Sequence, residues 1–225
     1  MGNNIKKTVL IDFYGLPGSG KTTIFSLLTE KLRENGKLVD TIYGKGRTRP
    51  ARQPVAKIMG TISALRFFLK VRPYLNKRSF YADRTFLRIW METCLVFYRL
   101  RKAKHNEYIV ADQGIIQAIV SLTANDDKAN IEELVKIFLK NNKYEIIHVY
   151  VDIPVEVSLH RLETRQNGTS RVEKLKYDQR KAALFSLSTK FEKINSVLCP
   201  IVINNTDIEA EQAADILLSK ILIAD

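Results

Sequence analysis

The chain is short of cysteine, of sustained apolar runs and, over one long stretch, of acids. Its two cysteines, Cys94 and Cys199, stand far apart in apolar surroundings, so neither a disulfide framework nor a zinc site built on paired thiolates is expected. No apolar stretch reaches the ~20 residues that span a bilayer as a helix. The segment Met1-Gly2-Asn3-Asn4-Ile5-Lys6 lacks the apolar run of a signal peptide, and Lys6 stands where a myristoylation signal places Ser or Thr. A soluble cytoplasmic protein is the expectation, and Asn167-Gly168-Thr169 then reads as a turn rather than a glycosylation site. Internal repeats, low-complexity runs and linkers are also missing. At 225 residues and 45 % hydrophobic, the chain is expected to be one α/β domain over 1–225, with a small insertion within it.

Between Lys45 and Lys104 sixteen Lys or Arg face only Asp83 and Glu92, so the net charge of +12 is concentrated there and the remainder is slightly acidic. Such a segment suits an anionic small molecule, a nucleic acid or an anionic membrane surface, or is a solvated basic face. Two helices are expected in it, about 55–71 and 83–104, separated by Pro73 and Asn76. Their apolar residues, among them Ile58, Leu65, Leu69, Phe86, Trp90 and Phe97, read as packing. Arg66, Arg84, Arg88, Arg99 and Arg101 interleave with them.

Gly15-Leu16-Pro17-Gly18-Ser19-Gly20-Lys21-Thr22 fits the phosphate-binding loop pattern and has the flanks which that pattern needs. Thr8 to Phe13 reads as a mostly apolar strand, and from Thr23 to Arg33 the residues Ile24, Leu27, Leu28 and Leu32 recur at helical spacing. Glycines let backbone N–H groups approach a polyphosphate, and the new helix offers its unsatisfied donors to the same anion. Lys21 would reach the β and γ phosphates and the Thr22 hydroxyl would take a place on Mg²⁺.

The rest alternates. A strand at 37–43 leads into Gly44-Lys45-Gly46-Arg47-Thr48-Arg49-Pro50. Tyr108 to Ala111 delivers Asp112-Gln113-Gly114 to a strand end, and helices follow from Ile115 to Thr123 and Ile131 to Asn141. Ile146 to Val151 is the clearest buried strand. Pro154 opens a helix to about Arg165, and a longer one is expected from Val172 to Ser196, with Leu175, Leu184, Phe185, Leu187, Phe191 and Ile194 inward. Pro200 to Asn204 is the fifth strand. Asp207 is expected to cap a last helix with Ala213, Ile216, Leu217 and Ile221 inward. This order predicts a parallel sheet with crossover helices.

Taken together, four regions resemble the P-loop nucleoside and nucleotide kinases, most nearly the thymidylate kinases: Gly15 to Thr22; Asp112; Val151-Asp152-Ile153-Pro154 with Arg161, Arg165 and Arg171; and Ile203-Asn204-Asn205-Thr206. The resemblance implies a three-layer P-loop fold, about five parallel strands with helices on both faces and a helical lid near 161–172. It implies ATP and Mg²⁺, with Gly15, Pro17, Gly18, Ser19, Gly20, Lys21, Thr22 and Thr23 on the phosphates and Asn205 and Thr206 beside the adenine. Lys21, Asp112, Arg161, Arg165 and Arg171 would be catalytic, and Thr22 and Asp112 would hold the metal. Guanidinium groups suit the charge that spreads over a transferring phosphoryl group.

Thymidylate kinases commonly have Arg where Gln113 stands and an acid at the position of Tyr14 or Pro17. These departures argue against thymidylate itself. Asp12, inside a strand, is either a second carboxylate of the metal shell or a paired core acid. The loop after the second strand has no carboxylate to act as base, whereas Lys45, Arg47 and Arg49 suit a phosphate-bearing acceptor, with Arg84 and Arg88 beside them in a basic substrate-binding insertion near 45–105. A hydroxyl acceptor with Asp112 or Asp83 as base stays open. So do a nucleotide-switched module on nucleic acid or membrane, which is less favoured, and a homodimer.

Overall fold

The computed structural model describes residues 8–42, 65, 69, 107–123, 129–140, 145–165 and 172–224. Lys45, Arg47, Arg49, Asp83, Arg84, Arg88 and Arg171, with most of the basic insertion and residues 166–171 of the lid, lie outside the described residues. Leu65 and Leu69 are helical but 47 % and 58 % exposed rather than packed.

Five strands, β1 (Val9–Gly15), β2 (Leu38–Ile42), β3 (Glu107–Ala111), β4 (Glu145–Asp152) and β5 (Ile201–Asn204), form one parallel sheet in the order β2-β3-β1-β4-β5. All seven residues of β1 are buried, as suits a strand covered on both faces. Leu10 and Tyr14 point to one face; Val9, Ile11 and Phe13 point to the other. Against the second face pack α1 (Lys21–Glu34), through Ile24, Phe25, Leu28 and Leu32, and α6 (Ala210–Ala224), through Ala213, Leu217 and Ile221. Against the first lie α2 (Ile115–Leu122), α3 (Ile131–Lys140), α4 (Val155–Glu163) and α5 (Tyr177–Leu198). The three layers expected from the sequence are thus present. α1 stops at Asn35, where Gly36 at φ +72° returns its N–H to Arg33 O.

Several boundaries differ from expectation. β1 runs on to Gly15 because Tyr14 is fully buried and its hydroxyl donates to Asn195 Oδ1 at 2.7 Å. α5 starts at Tyr177, not Val172, since residues 172–174 form a turn held by Arg180, whose guanidinium donates to Glu173 O at 2.9 Å and Leu175 O at 3.1 Å. Phe185 on α5 is 47 % exposed. Asp207 does not cap α6: the helix begins at Ala210, and Ala213 N–H bonds to Glu209 O. Ile216 is exposed and Ala214 is buried instead.

The C-terminal ends of β1, β3, β4 and β5 converge, so the glycine loop, Asp112, α4 and Asn205 share one edge of the sheet. β1 has β3 on one side and β4 on the other, which makes this edge the crevice where parallel sheets bind ligands.

Candidate active site

The glycine loop turns out of β1 and enters α1 at Gly20, whose φ of +91° favours glycine. A Cβ there would stand 2.3 Å from Asn205 Nδ2, so the position also needs the missing side chain for room. No side chain caps α1 and its first turn holds no acid, leaving the positive end of the helix to an anion.

Lys21 is buried. Its Nζ donates to Gly15 O at 3.0 Å, to Leu16 O and to Ser19 Oγ at 3.1 Å. Burial pulls its ammonium down to about 8, Asp112 holds it up, and Arg165 lowers it. Thr22 Oγ1 donates to both oxygens of Asp112, at 3.0 and 3.2 Å. The hydroxyl and the carboxylate picked out 90 residues apart therefore meet directly, a pair that fits Mg²⁺, which takes one or two protein oxygens and fills its octahedron with water and phosphate. Among the described residues no cluster of three His, Cys, Asp or Glu could hold a metal.

The loop is braced from three sides. Ser158 Oγ, on α4, donates to Pro17 O at 2.6 Å. Asn205, buried after β5, donates from Nδ2 to Ser19 O at 2.7 Å, and its own N–H reaches Asp152 O at 2.9 Å. Arg161 donates to Asn205 O at 2.9 Å, with longer contacts at 3.4 Å to Gly18 O and Thr206 O. Its guanidinium is thus spent on carbonyls that hold the loop to the β5–α6 turn. Arg165 is exposed, 3.7 Å from Glu173. Gly15, Pro17, Gly18, Ser19, Gly20, Lys21, Thr22, Thr23, Asp112, Arg161, Asn205 and Thr206 lie along this one edge.

No protein-family model matches the chain. Over 193 residues, 84 % of this chain and 82 % of the relative, it is 28 % identical to the thymidylate kinase of Leptospira interrogans serogroup Icterohaemorrhagiae serovar copenhageni (strain Fiocruz L1-130). The thymidylate kinase of serovar Lai (strain 56601) matches to the same extent. Among solved structures, deoxyadenosine kinase from M. mycoides with bound dATP superposes with a TM-score of 0.52 at 11 % identity, covering 96 % of this chain and 99 % of that one. The same enzyme with bound dCTP gives 0.50 at 14 %, covering 95 % and 99 %. The fold is that of a P-loop kinase.

Sequence reasoning missed two parts of this site and left a third open. Ser158 gives itself away only as a polar residue on the buried face of α4. Gln117, whose Oε1 accepts the Gly15 N–H at 3.4 Å, lies one turn into an otherwise apolar helix. Asp12, open between a metal-shell carboxylate and a paired core acid in the sequence, is fully buried, its Oδ2 accepts the Ile116 N–H at 3.2 Å, and it faces the start of α2. Burial lifts its carboxyl to about 7, against the backbone donors of Ile116, Ile115 and Gly114.

Proposed function

We propose that the chain is an ATP-dependent phosphotransferase of the nucleotide kinase kind, moving the γ-phosphoryl group of ATP to a small acceptor that already carries a phosphate, a nucleoside monophosphate or a relative. The observation that carries this reading is the meeting of Thr22 and Asp112 beside Lys21, at the open start of α1. The likeness to thymidylate kinases over most of the chain supports it.

In this reading the roles are as follows. Lys21, freed from the carbonyls of Gly15 and Leu16, would place its charge on the β and γ phosphates, while the loop amides and the start of α1 hold the anion. Thr22 and Asp112 would hold Mg²⁺, which would supply positive charge to offset that of the phosphates. Arg161 keeps the loop in register with Asn205 and Thr206, the turn beside which the adenine would lie. Arg165 and Arg171 would close over the phosphates from the lid. The basic insertion, with Lys45, Arg47, Arg49, Arg84 and Arg88, would hold the acceptor's phosphate. Because Asp112 already faces Thr22, it suits a metal carboxylate better than a free base, which favours an acceptor that arrives as an oxyanion.

The test is a screen of nucleoside monophosphates, nucleosides and sugars with labelled ATP and Mg²⁺. Label should enter a phosphate-bearing acceptor. Arg47→Ala and Arg49→Ala should then raise that acceptor's KM about 10- to 100-fold while the KM for ATP stays within about twofold, since each removes a charge-assisted contact worth about 1.5 to 3 kcal/mol. Transfer only to hydroxyl acceptors overturns the phosphate-bearing acceptor. No transfer to any of them, with salt-sensitive binding to nucleic acid or anionic vesicles, overturns the enzyme reading.

A further inference from the structure

α2 begins at Gly114, where no side chain caps it, and its first turn carries no acid. A helix start left open inside a core needs acceptors for its N–H groups. Here the acceptor comes from a strand 104 residues away: Asp12 Oδ2 takes the Ile116 N–H at 3.2 Å, and the Gly114 and Ile115 donors also face this carboxylate. Gly114 is present for the same reason. Its φ of −92° would suit any residue, but a Cβ there would lie 2.0 Å from Asp12 Oδ1 and 2.6 Å from its carboxyl carbon. Asp12 and Gly114 are therefore one fitted pair. Between this pair and the end of β3 lie only Asp112 and Gln113, while Gln117 of α2 reaches Gly15. On the strand beside it, His148 Nδ1 lies 3.9 Å from Asp12 Oδ2, too far to take over the carboxylate.

We infer that Asp12 is a positioning residue for the metal site: by clamping the start of α2 it fixes the Asp112-Gln113-Gly114 turn, and so the distance from the Asp112 carboxylate to the Thr22 hydroxyl. This rests on the reading of Thr22 and Asp112 as the Mg²⁺ pair. Asp12 is fully buried, and it acts through the backbone of α2. A buried polar residue that orients a metal-binding carboxylate through such contacts commonly changes metal affinity or activity by about 10- to 100-fold when lost.

The experiment is calorimetric titration of the full chain with ADP, in EDTA and in Mg²⁺, on the wild type, Asp12→Ala, Asp12→Asn, Gly114→Ala and the double variant Asp12→Ala/Gly114→Ala. Wild type should bind ADP more tightly with Mg²⁺ than without. Asp12→Ala should lose that Mg²⁺-dependent gain by about 10-fold while affinity in EDTA stays within about twofold. Asp12→Asn keeps an acceptor for Ile116 and should restore most of it. Gly114→Ala should show the same selective loss in the wild-type background and none further in Asp12→Ala, since there the clashing oxygen is gone. If Asp12→Ala does not fold, Gly114→Ala and Asp12→Asn carry the test alone. A wild type indifferent to Mg²⁺ would take away the metal reading and this inference with it. With a responsive wild type, the inference alone falls if the variants keep the full gain, or if they lose affinity equally with and without the metal.

Discussion

Two helices of this chain start at a glycine just past a strand, and neither has a cap of its own. α1 opens at Gly20 and α2 at Gly114, and neither first turn holds an acid. At α2 the chain supplies the acceptor itself, from Asp12 on β1. At α1 the start is left open, with Lys21 curled back on the loop carbonyls and Thr22 turned to Asp112. The two starts share a glycine and a first turn without acids, yet the fold closes one and leaves the other open. A helix start becomes a site when the fold withholds the internal acceptor and brings a cation and a hydroxyl to the opening.

The sharpest way to break that contrast is at Lys21. Lys21→Ala removes the charge expected to sit on the phosphates and should lower turnover at least about 100-fold, the usual scale for losing one preorganised electrostatic group. Stopped-flow or quench-flow transfer of label measures it. A variant that keeps wild-type turnover would make the start of α1 as inert as that of α2.

The second effect is smaller and concerns the fit of the loop. Gly20→Ala forces a Cβ against Asn205 Nδ2 at a φ of +91°, which should cost about 1–3 kcal/mol of stability. Asn205→Ala removes the donor to Ser19 O and should cost about 1–3 kcal/mol as well. The pair should not add, because the second change removes the atom that the first collides with. Urea unfolding of the two single variants and the double reads the coupling, and strict additivity would mean that Asn205 does not brace the loop.

What could be read from the sequence divides along the same lines. The glycine loop, β1, β4 and Asp112 carry their evidence locally, in spacing and in apolar runs that have no other use. Five strands and alternating helices followed from the same periodicity. Asp12 did not reveal its role, because its partners lie beyond 100 residues and a buried acid in a strand looks alike whether it holds a metal or a helix. α6 departs from expectation at one position for another reason: Ala213, Leu217 and Ile221 are buried as expected, but Ala214 is buried and Ile216 exposed, and a preference for large apolar residues favours the isoleucine over the alanine. Asp207 had the composition of a cap, but the turn after β5 continues to Glu209, with Thr206 N–H on Asn204 Oδ1 at 3.0 Å. Ser158 and Arg161 became visible as braces only once the register of β4 and β5 brought α4 onto the loop. Arg161 is also where periodicity and structure part most usefully. One turn from Arg165, it shares that residue's face in a helical reading, yet it points to backbone carbonyls while Arg165 stays exposed.

The smallest expected effect is a dependence on pH that tells the closed helix start from the open one. Asp12 keeps its proton in the folded chain until about pH 7, against an ordinary 3.8, because burial disfavours the carboxylate. Between those values the folded chain holds a proton that the unfolded chain has released, so this group lowers stability as pH rises. His148 does the opposite. Burial pulls its ring down to about 4 from 6.5, so over that window the unfolded chain holds the extra proton and stability rises with pH. The two shifts oppose each other in the wild type, whose melting temperature should be nearly flat in their contribution between pH 4 and 6.5. Asp12→Asn removes one of them and keeps an acceptor for Ile116. Its melting temperature, relative to wild type, should therefore climb from pH 4 to 8 by at least about 2 °C, the shift expected for roughly 1 kcal/mol in a chain of this size. Scanning calorimetry of both proteins across that range reads the difference, with Lys21→Ala, a change at the open helix start, as the control that should show no climb below pH 7. A constant offset between Asp12→Asn and wild type would mean that Asp12 is already ionised in the folded chain at pH 4, held so by the donors at the start of α2.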